Sequence, residues 1–434
     1  MPTNAKNGPP VVLMINFHST RNAGDLALLL SNRQLLQEAF GDPRIIVSAN
    51  WPNEEAYAEY GFEVVPSPWA LSGVHPENPL LKQVADLICT YAALWWHRHH
   101  QAPLKGPADQ LWKHLHAAYA AAEVVVGVSG NQFYSSGRYG WPFPATYASV
   151  SLTQAFQKPL YVLPQSIGPL RRKWERRMLA KGYGRARHVF LRDSISLRLA
   201  SELGLPPEKV SYAPDPAFDL QPADPGQANE LLQAFGVDMA KPKLGVTVIA
   251  PMGRSLITAE VENYYSVLEH TLTRFLLSFP AQVVLFNQVS GPTANENDGE
   301  AATKLCSRLK AQGLDAVHIN RAIGPAQLKA CYGLMQTFLA SRLHSGVFSL
   351  GMNVPTVFIG YLYKTRGMLE ALELENKVID LRNLNEQDLW EKLSYTWDHS
   401  SQEREALEAK MPAIKAASHA PAQAIREDFL RYHG

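Results

Sequence analysis

Short apolar runs alternate with longer amphipathic stretches almost from the start of the chain. Val11 to Phe17 is the first run, followed by a glycine-bearing loop from His18 to Asp25 and a helical stretch through Phe40. Further runs fall at Ile45 to Ser48, Phe62 to Val65, Glu123 to Val128, Leu160 to Leu163 and His188 to Leu191. Unbroken apolar runs suit strands buried on both faces, as in a parallel sheet covered by helices. Residues 66–122, between the third and fourth runs, read as a mostly helical insertion. Tyr212 to Gln227 carries four prolines, which stop helix and central strand alike, so it is predicted to be a linker. The rhythm then restarts at Leu244 to Ile249, Gln282 to Phe286, Ala316 to Ile319, Thr337 to Ala340 and Pro355 to Ile359.

Two sets of alternating strands and helices predict an α/β protein of two Rossmann-like domains facing across a cleft, the GT-B-like arrangement. The expected boundaries are a disordered tail at 1–10, an N-terminal domain at 11–220 and a C-terminal domain at 221–400. Helices at 401–434 are expected to pack back toward the first half. At 434 residues the chain exceeds what one core usually holds, and 46% apolar with 19% charged residues excludes a disordered or fibrous chain. The 41 basic and 40 acidic side chains leave a formal net charge of +1, so no global field recruits nucleic acid and anions must be held by local clusters. Cys89, Cys306 and Cys331 are odd in number and widely spaced, which fits a reducing cytoplasm better than a disulfide framework or zinc site. The first ten residues lack the apolar core of a signal peptide, and Leu87 to Trp96 is too short to span a bilayer.

Candidate chemistry gathers at strand ends. Leu339 to Gly346 reads Leu-Ala-Ser-Arg-Leu-His-Ser-Gly, which puts Arg342, His344 and Ser345 at the turn from a buried strand into a helix, where anions are favoured. Asn22-Ala23-Gly24-Asp25 follows the first run, and Ser129-Gly130-Asn131-Gln132 the fourth. Gln165-Ser166-Ile167-Gly168-Pro169 is predicted to be a polar loop after a strand, and Arg192-Asp193-Ser194 opens another helix. Each has a plainer reading as a helix cap, turn or structural ion pair. Arg172, Lys173, Arg176 and Arg177 share a helical face suited to a diphosphate, an anionic leaflet or simply water. His97, His99 and His100 lack the second cluster a metal site needs, and Trp95 and Trp96 suit a buried helix face better than an interfacial patch.

Asn-x-Gly-Asp, Gln-Ser-Ile-Gly-Pro, Arg-Asp-x-x-Ser, Pro-Asp-Pro-Ala-Phe and Arg-Leu-His-Ser followed by Tyr-x-x-Lys stand in that order between Asn16 and Lys364. In order and spacing they resemble the polysaccharide pyruvyl transferase family. The resemblance implies phosphoenolpyruvate as co-substrate, transfer of its pyruvyl group to a sugar of a cell-surface polysaccharide or lipid-linked precursor, and neither metal nor resident cofactor. It places Arg192, Arg342, Lys364, Ser345, Gln165 and Ser166 on the donor side, with His344 as acid, as base or as holder of the leaving phosphate, and Asp25 orienting or deprotonating the acceptor hydroxyl. The acceptor side falls to Asn22, Asn131, Tyr134, Trp141 and Arg172, of which Tyr134 and Trp141 lie in an aromatic-rich loop from Phe133 to Phe143 that also holds Tyr139. A saccharide acceptor, lipid-diphosphate-linked in one form, brings peripheral contact with the inner face of the cell membrane. The competing expectations are a GT-B glycosyltransferase using a nucleotide sugar and an assembly protein without turnover.

Overall fold

The computed structural model describes residues 9–71, 88–92, 95–96, 100, 109–135, 142–250, 257–360 and 363–433. Its strands form two parallel sheets, as the unbroken apolar runs require. The first holds β1 (Val11–Phe17), β2 (Arg44–Ala49), β3 (Glu63–Pro66), β4 (Val124–Gly127), β5 (Gly130–Phe133), β6 (Leu160–Ile167), β7 (His188–Leu191) and β8 (Val210–Tyr212). Its order is β3-β2-β1-β4-β6-β7-β8, with β5 pairing β6 off this path. The second holds β9 (Lys243–Thr247), β10 (Gln282–Phe286), β11 (Ala316–Ile319), β12 (Thr337–Ala340), β13 (Thr356–Gly360) and β14 (Val378–Asp380). Its order, β11-β10-β9-β12-β13-β14, is that of a doubly wound dinucleotide-type sheet. The strand order reverses between β1 and β4 and between β9 and β12, all four strands running parallel, and beyond the carboxyl ends of such pairs a crevice opens.

The structure departs from the sequence reading in four places. Gln165 and Ser166 lie inside β6 rather than in a loop after it. The register of β6 against β7 shifts between Val162 and Gln165, and this irregularity accommodates Pro164, which has no N–H to give the ladder. Strands β5, β8 and β14 escaped prediction because they are short and partly polar, and β8 and β14 are sheet edges paired on one side. The proline-rich segment after β8 is not a loose tether: Asp215, Pro216, Ala217 and Phe218 are buried, and Pro216–Phe218 forms a 3-10 turn. Trp95 and Trp96 are exposed, at 59% and 37%, so the buried helix face expected for them is overturned.

The chain ends cross back. Helix Ser400–Ser418 places Leu407, Met411 and Ile414 in the core of the second half, whereas helix Ala420–His433 buries Ala422 and Ile425 in that of the first. Asp428 of that last helix pairs with Arg187 at 2.7 Å, and its ring neighbour Phe429 packs edge-on to Phe40 at 5.0 Å. His419, at the junction of the two helices, lies 2.7 Å from Glu38 and 3.0 Å from Asp219. Those carboxylates outweigh the effect of its burial and raise the imidazole pKa.

Candidate active site

Two helix starts meet where the halves face each other. Asn22 caps helix Ala23–Phe40, its Oδ1 accepting from the backbone N–H of Gly24 at 3.0 Å. Its Nδ2 donates to Asp25 at 3.0 Å, so the cap is the asparagine rather than the aspartate. The loop before this helix is stitched to the second half. Ala23 N–H donates to the Gln288 carbonyl at 3.1 Å and Ser290 N–H to the Arg21 carbonyl at 2.9 Å. Opposite it, helix Leu343–Gly351 starts at the carboxyl end of β12, with Arg342 as its first, extended residue. Ser345 is consumed in fixing that turn, with its hydroxyl 2.7 Å from the Arg342 carbonyl and 2.7 Å from Thr247 Oγ1. A Cβ on Gly346 would fall 1.9 Å from the Phe358 ring, so only glycine lets this helix lie so close to β13. A Cβ on Gly24 would lie 2.3 Å from His344 Nδ1, so the first turn of one helix forms the wall against which the imidazole of the other rests.

His344 is 9% exposed and its Nε2 stands 3.6 Å from Asp215. That carboxylate is fully buried in the proline-rich segment, where it also accepts from Ala217 N–H at 2.9 Å. Its other partner is Arg192 Nη1. Burial alone would raise the Asp215 carboxyl, but the Arg192 guanidinium and His344 overcome it and hold the group well below the usual carboxylate range. Arg192 is 1% exposed, donates from Nε to Ser166 Oγ at 3.1 Å, and has an Nη2 with no partner among the described residues. Buried polar atoms are ordinarily satisfied, so a guanidinium N–H without a partner among the described residues, beside a helix start, is a candidate contact for an anion.

The structure brings Arg192, Ser166 and His344 together through Asp215. It sends Arg342 elsewhere: Nε donates to Asp298 at 2.9 Å, Nη2 to the same carboxylate, and Nη2 again to the Glu296 carbonyl at 3.4 Å. Gln165 is committed at both ends, Nε2 donating to the Val128 carbonyl at 2.6 Å and Oε1 accepting from Tyr183 at 2.7 Å. Lys364 is partly buried in the first turn of helix Tyr363–Ala371, whose Tyr363 hydroxyl donates to the carbonyls of Ile167 and Gly168 across the cleft. Asn131 lies on β5 with a buried Oδ1 that has no partner among the described residues, and Tyr134 just beyond is partly buried. Arg172 donates to Ser135 at 3.2 Å and Glu175 at 3.1 Å. Trp141 and Tyr139 lie outside the described residues.

Asp215, Asp298, His18 and Glu296 belong to this neighbourhood and were not singled out from sequence. Asp215 stood in view inside Pro-Asp-Pro-Ala-Phe, but a proline-rich segment reads as a linker, and nothing local says which arginine a buried carboxylate will meet. His18 Nε2 donates to Glu296 at 3.3 Å while Nδ1 accepts from Asn50 at 3.4 Å. Burial opposes its charge, yet Glu296, Asp25 and Glu54 more than offset this and raise its pKa. Among the described residues no group of side chains could hold a metal ion.

Lys329 braces the site from beneath. It is 1% exposed, and its ammonium donates to the carbonyls of Ala217 at 3.2 Å and Phe218 at 2.7 Å, in the turn that carries Asp215. Burial pushes its pKa down to about 7. With the folded value below the unfolded one of about 10.4, the cost of burying the charge is fully present below pH 7 and is relieved as pH rises toward the unfolded value. Denaturation of wild type and Lys329→Met should therefore diverge in favour of wild type between pH 7 and 9, by about 1 kcal/mol per pH unit. Parallel curves would show that Lys329 titrates normally.

A family model described as polysaccharide pyruvyl transferase matches residues 22–363. The amylovoran biosynthesis protein AmsJ of Erwinia amylovora is 22% identical over 249 residues, 56% of this chain and 59% of that protein, so the likeness spans little more than half of that relative. Among solved structures, Alr3699/HepE of Anabaena in complex with UDP and glucose superimposes with a TM-score of 0.57 at 11% identity, covering 98% of this chain and 99% of that one. The UDP-GlcNAc 2-epimerase of Methanocaldococcus jannaschii gives 0.54 at 10% identity, covering 89% and 93%. Identities this low establish the two-domain fold alone.

Proposed function

The chain belongs to the polysaccharide pyruvyl transferase family, and we propose that it moves the pyruvyl group of phosphoenolpyruvate onto a sugar of a cell-surface polysaccharide or its precursor. The product is a ketal and the leaving group is phosphate. The observation that carries this reading is the buried Arg192, with an Nη2 that has no partner among the described residues, joined through Asp215 to His344 at the meeting of two helix starts. A doubly charged phosphate or a carboxylate is the ligand such a guanidinium accepts, and each charge-assisted bond contributes about 1.5 to 3 kcal/mol. Both helix dipoles direct positive potential to the same point.

The reaction asks for an acid and a base. The methylene carbon takes a proton, a sugar hydroxyl adds to the neighbouring carbon, and a second hydroxyl closes the ring as phosphate departs. The two hydroxyl protons end on the new methyl group and on phosphate. His344 is the candidate to deliver or accept one of them, with Asp215 3.6 Å from its Nε2 to orient the ring. Asp25, one residue from the glycine that touches His344, is the candidate to orient or deprotonate the acceptor. By motif, Arg342, Lys364 and Ser345 stay on the donor side, with Arg342 acting from its brace on Asp298, and Asn22, Asn131, Tyr134, Trp141 and Arg172 on the acceptor side. Phosphoenolpyruvate as donor and three unpaired cysteines suit a cytoplasmic reaction.

Purified protein given phosphoenolpyruvate and a panel of oligosaccharides should release inorganic phosphate and yield a product heavier by one pyruvyl ketal. Arg192→Lys should weaken donor binding in calorimetry at least tenfold, because a point charge cannot replace the fork. Release of UDP from a nucleotide sugar, with no phosphate from phosphoenolpyruvate, would overturn the reading in favour of glycosyl transfer.

A further inference from the structure

We propose that one end of the first half is a docking face for an anionic lipid bilayer. Between Arg171 and Arg187 the chain holds eight basic side chains and one acidic, Glu175, against a net charge of +1 for the whole protein. Glu175 is fully buried and engaged by Arg172 at 3.1 Å. The outward surface of helix Lys173–Tyr183 therefore presents Lys173, Arg177 and Lys181, with Arg171 just before it and no exposed carboxylate on the helix. Lys173, Arg177 and Lys181 recur every four residues and form one row along the helix.

Apolar surface lies beside this row. Trp174 is 37% exposed, and its ring meets Phe143 edge-on at 5.6 Å. The next residue, Pro144, accepts through its carbonyl from the Tyr91 hydroxyl at 2.9 Å, which roots the helical residues 88–92 on the same turn. Ile88 there, and Trp95 and Trp96 farther along the chain, are 63%, 59% and 37% exposed. Ile88, Ala92, Trp95 and Trp96 are spaced i, i+4, i+7 and i+8, the spacing of one helical face. Phe143 and Pro144 thus connect the helix that bears the cationic row and Trp174 with residues 88–92.

Cations alone would serve a nucleic acid equally well. An isoleucine and two indoles beside them favour a bilayer, because indole rings settle at headgroup depth and an aliphatic side chain gains by entering the acyl boundary. Arg172, bonded to Ser135 just after β5, ties this face to the acceptor side of the cleft. That its purpose is to meet a membrane-borne acceptor rests on the pyruvyl-transfer reading; bilayer binding itself does not.

Flotation with phosphatidylcholine vesicles, with and without phosphatidylglycerol, tests the proposal on the full chain. Wild type should float with the anionic vesicles, less so as salt rises, and remain behind with the neutral ones. The triple variant Lys173→Glu, Arg177→Glu, Lys181→Glu should weaken that binding about 100-fold. Trp95→Ser with Trp96→Ser should weaken it at least fivefold at unchanged charge. Both variants should retain the wild-type melting temperature and wild-type affinity for phosphoenolpyruvate, so failure of the donor reading would appear separately, in calorimetry. Absence of flotation, equal flotation on neutral vesicles, unaltered binding by either variant, or tighter retention by single-stranded DNA than by anionic vesicles would each overturn it.

Discussion

An Asp215→Asn protein is expected to lose about 3 to 5 kcal/mol of folding stability at neutral pH, because the change strands the Arg192 guanidinium, 1% exposed, without its counter-charge. For a chain built of two halves of this size the melting temperature should fall on the order of 10 °C. Its dependence on pH follows from the depressed carboxyl. The folded pKa lies below the unfolded one, so Asp215 contributes fully above the unfolded value of about 3.9 and loses that contribution as pH falls below it. Denaturant titrations should show a constant gap between the two proteins from pH 5 to 8 that closes only in acid. A gap under about 1 kcal/mol at pH 7 would mean that another group compensates Arg192. The same variant should turn over poorly, since His344 loses the carboxylate 3.6 Å from its Nε2 that orients the ring.

Gly24→Ala is the second change with a large expected effect, and it acts on chemistry rather than on the fold. The added methyl would sit 2.3 Å from His344 Nδ1 and 2.5 Å from its Cγ, so the ring has to leave its place beside Asp215. A displacement of about 1 Å in a reacting group costs on the order of 10²-fold in rate. Turnover in the pyruvyl-transfer assay should fall by that amount, while donor affinity, held by Arg192, changes little. A double-mutant cycle with His344→Ala supplies the check. If the methyl acts through the imidazole, adding Gly24→Ala to His344→Ala should cost almost nothing further. Additive losses would show that Gly24 matters for some other reason, such as the strand-like contact of its loop with Gln288 and Ser290.

The amino-acid sequence by itself determined the strands of both sheets that are long, apolar and central. Val11–Phe17, Gln282–Phe286 and Thr337–Ala340 needed nothing but their own composition. Burial on both faces demands an unbroken apolar run, and such a run is visible locally. Arg342 at a helix start was likewise legible, because a turn after a strand end is a local pattern, whereas the cap of the first helix reads as Asp25 and is Asn22. Only the tertiary structure decided how charges pair. Arg342 and Arg192 look equivalent in sequence, each at a strand-to-helix turn, yet one is closed by Asp298 and the other shares Asp215 with a histidine from the opposite half. Those partners lie 44 and 23 residues away, and His344 lies 129 residues from Asp215. An ion pair depends on distance in space and on burial, neither of which leaves a periodic trace along the chain. The same holds for Gly24, whose need to be glycine arises from an imidazole brought to it by folding.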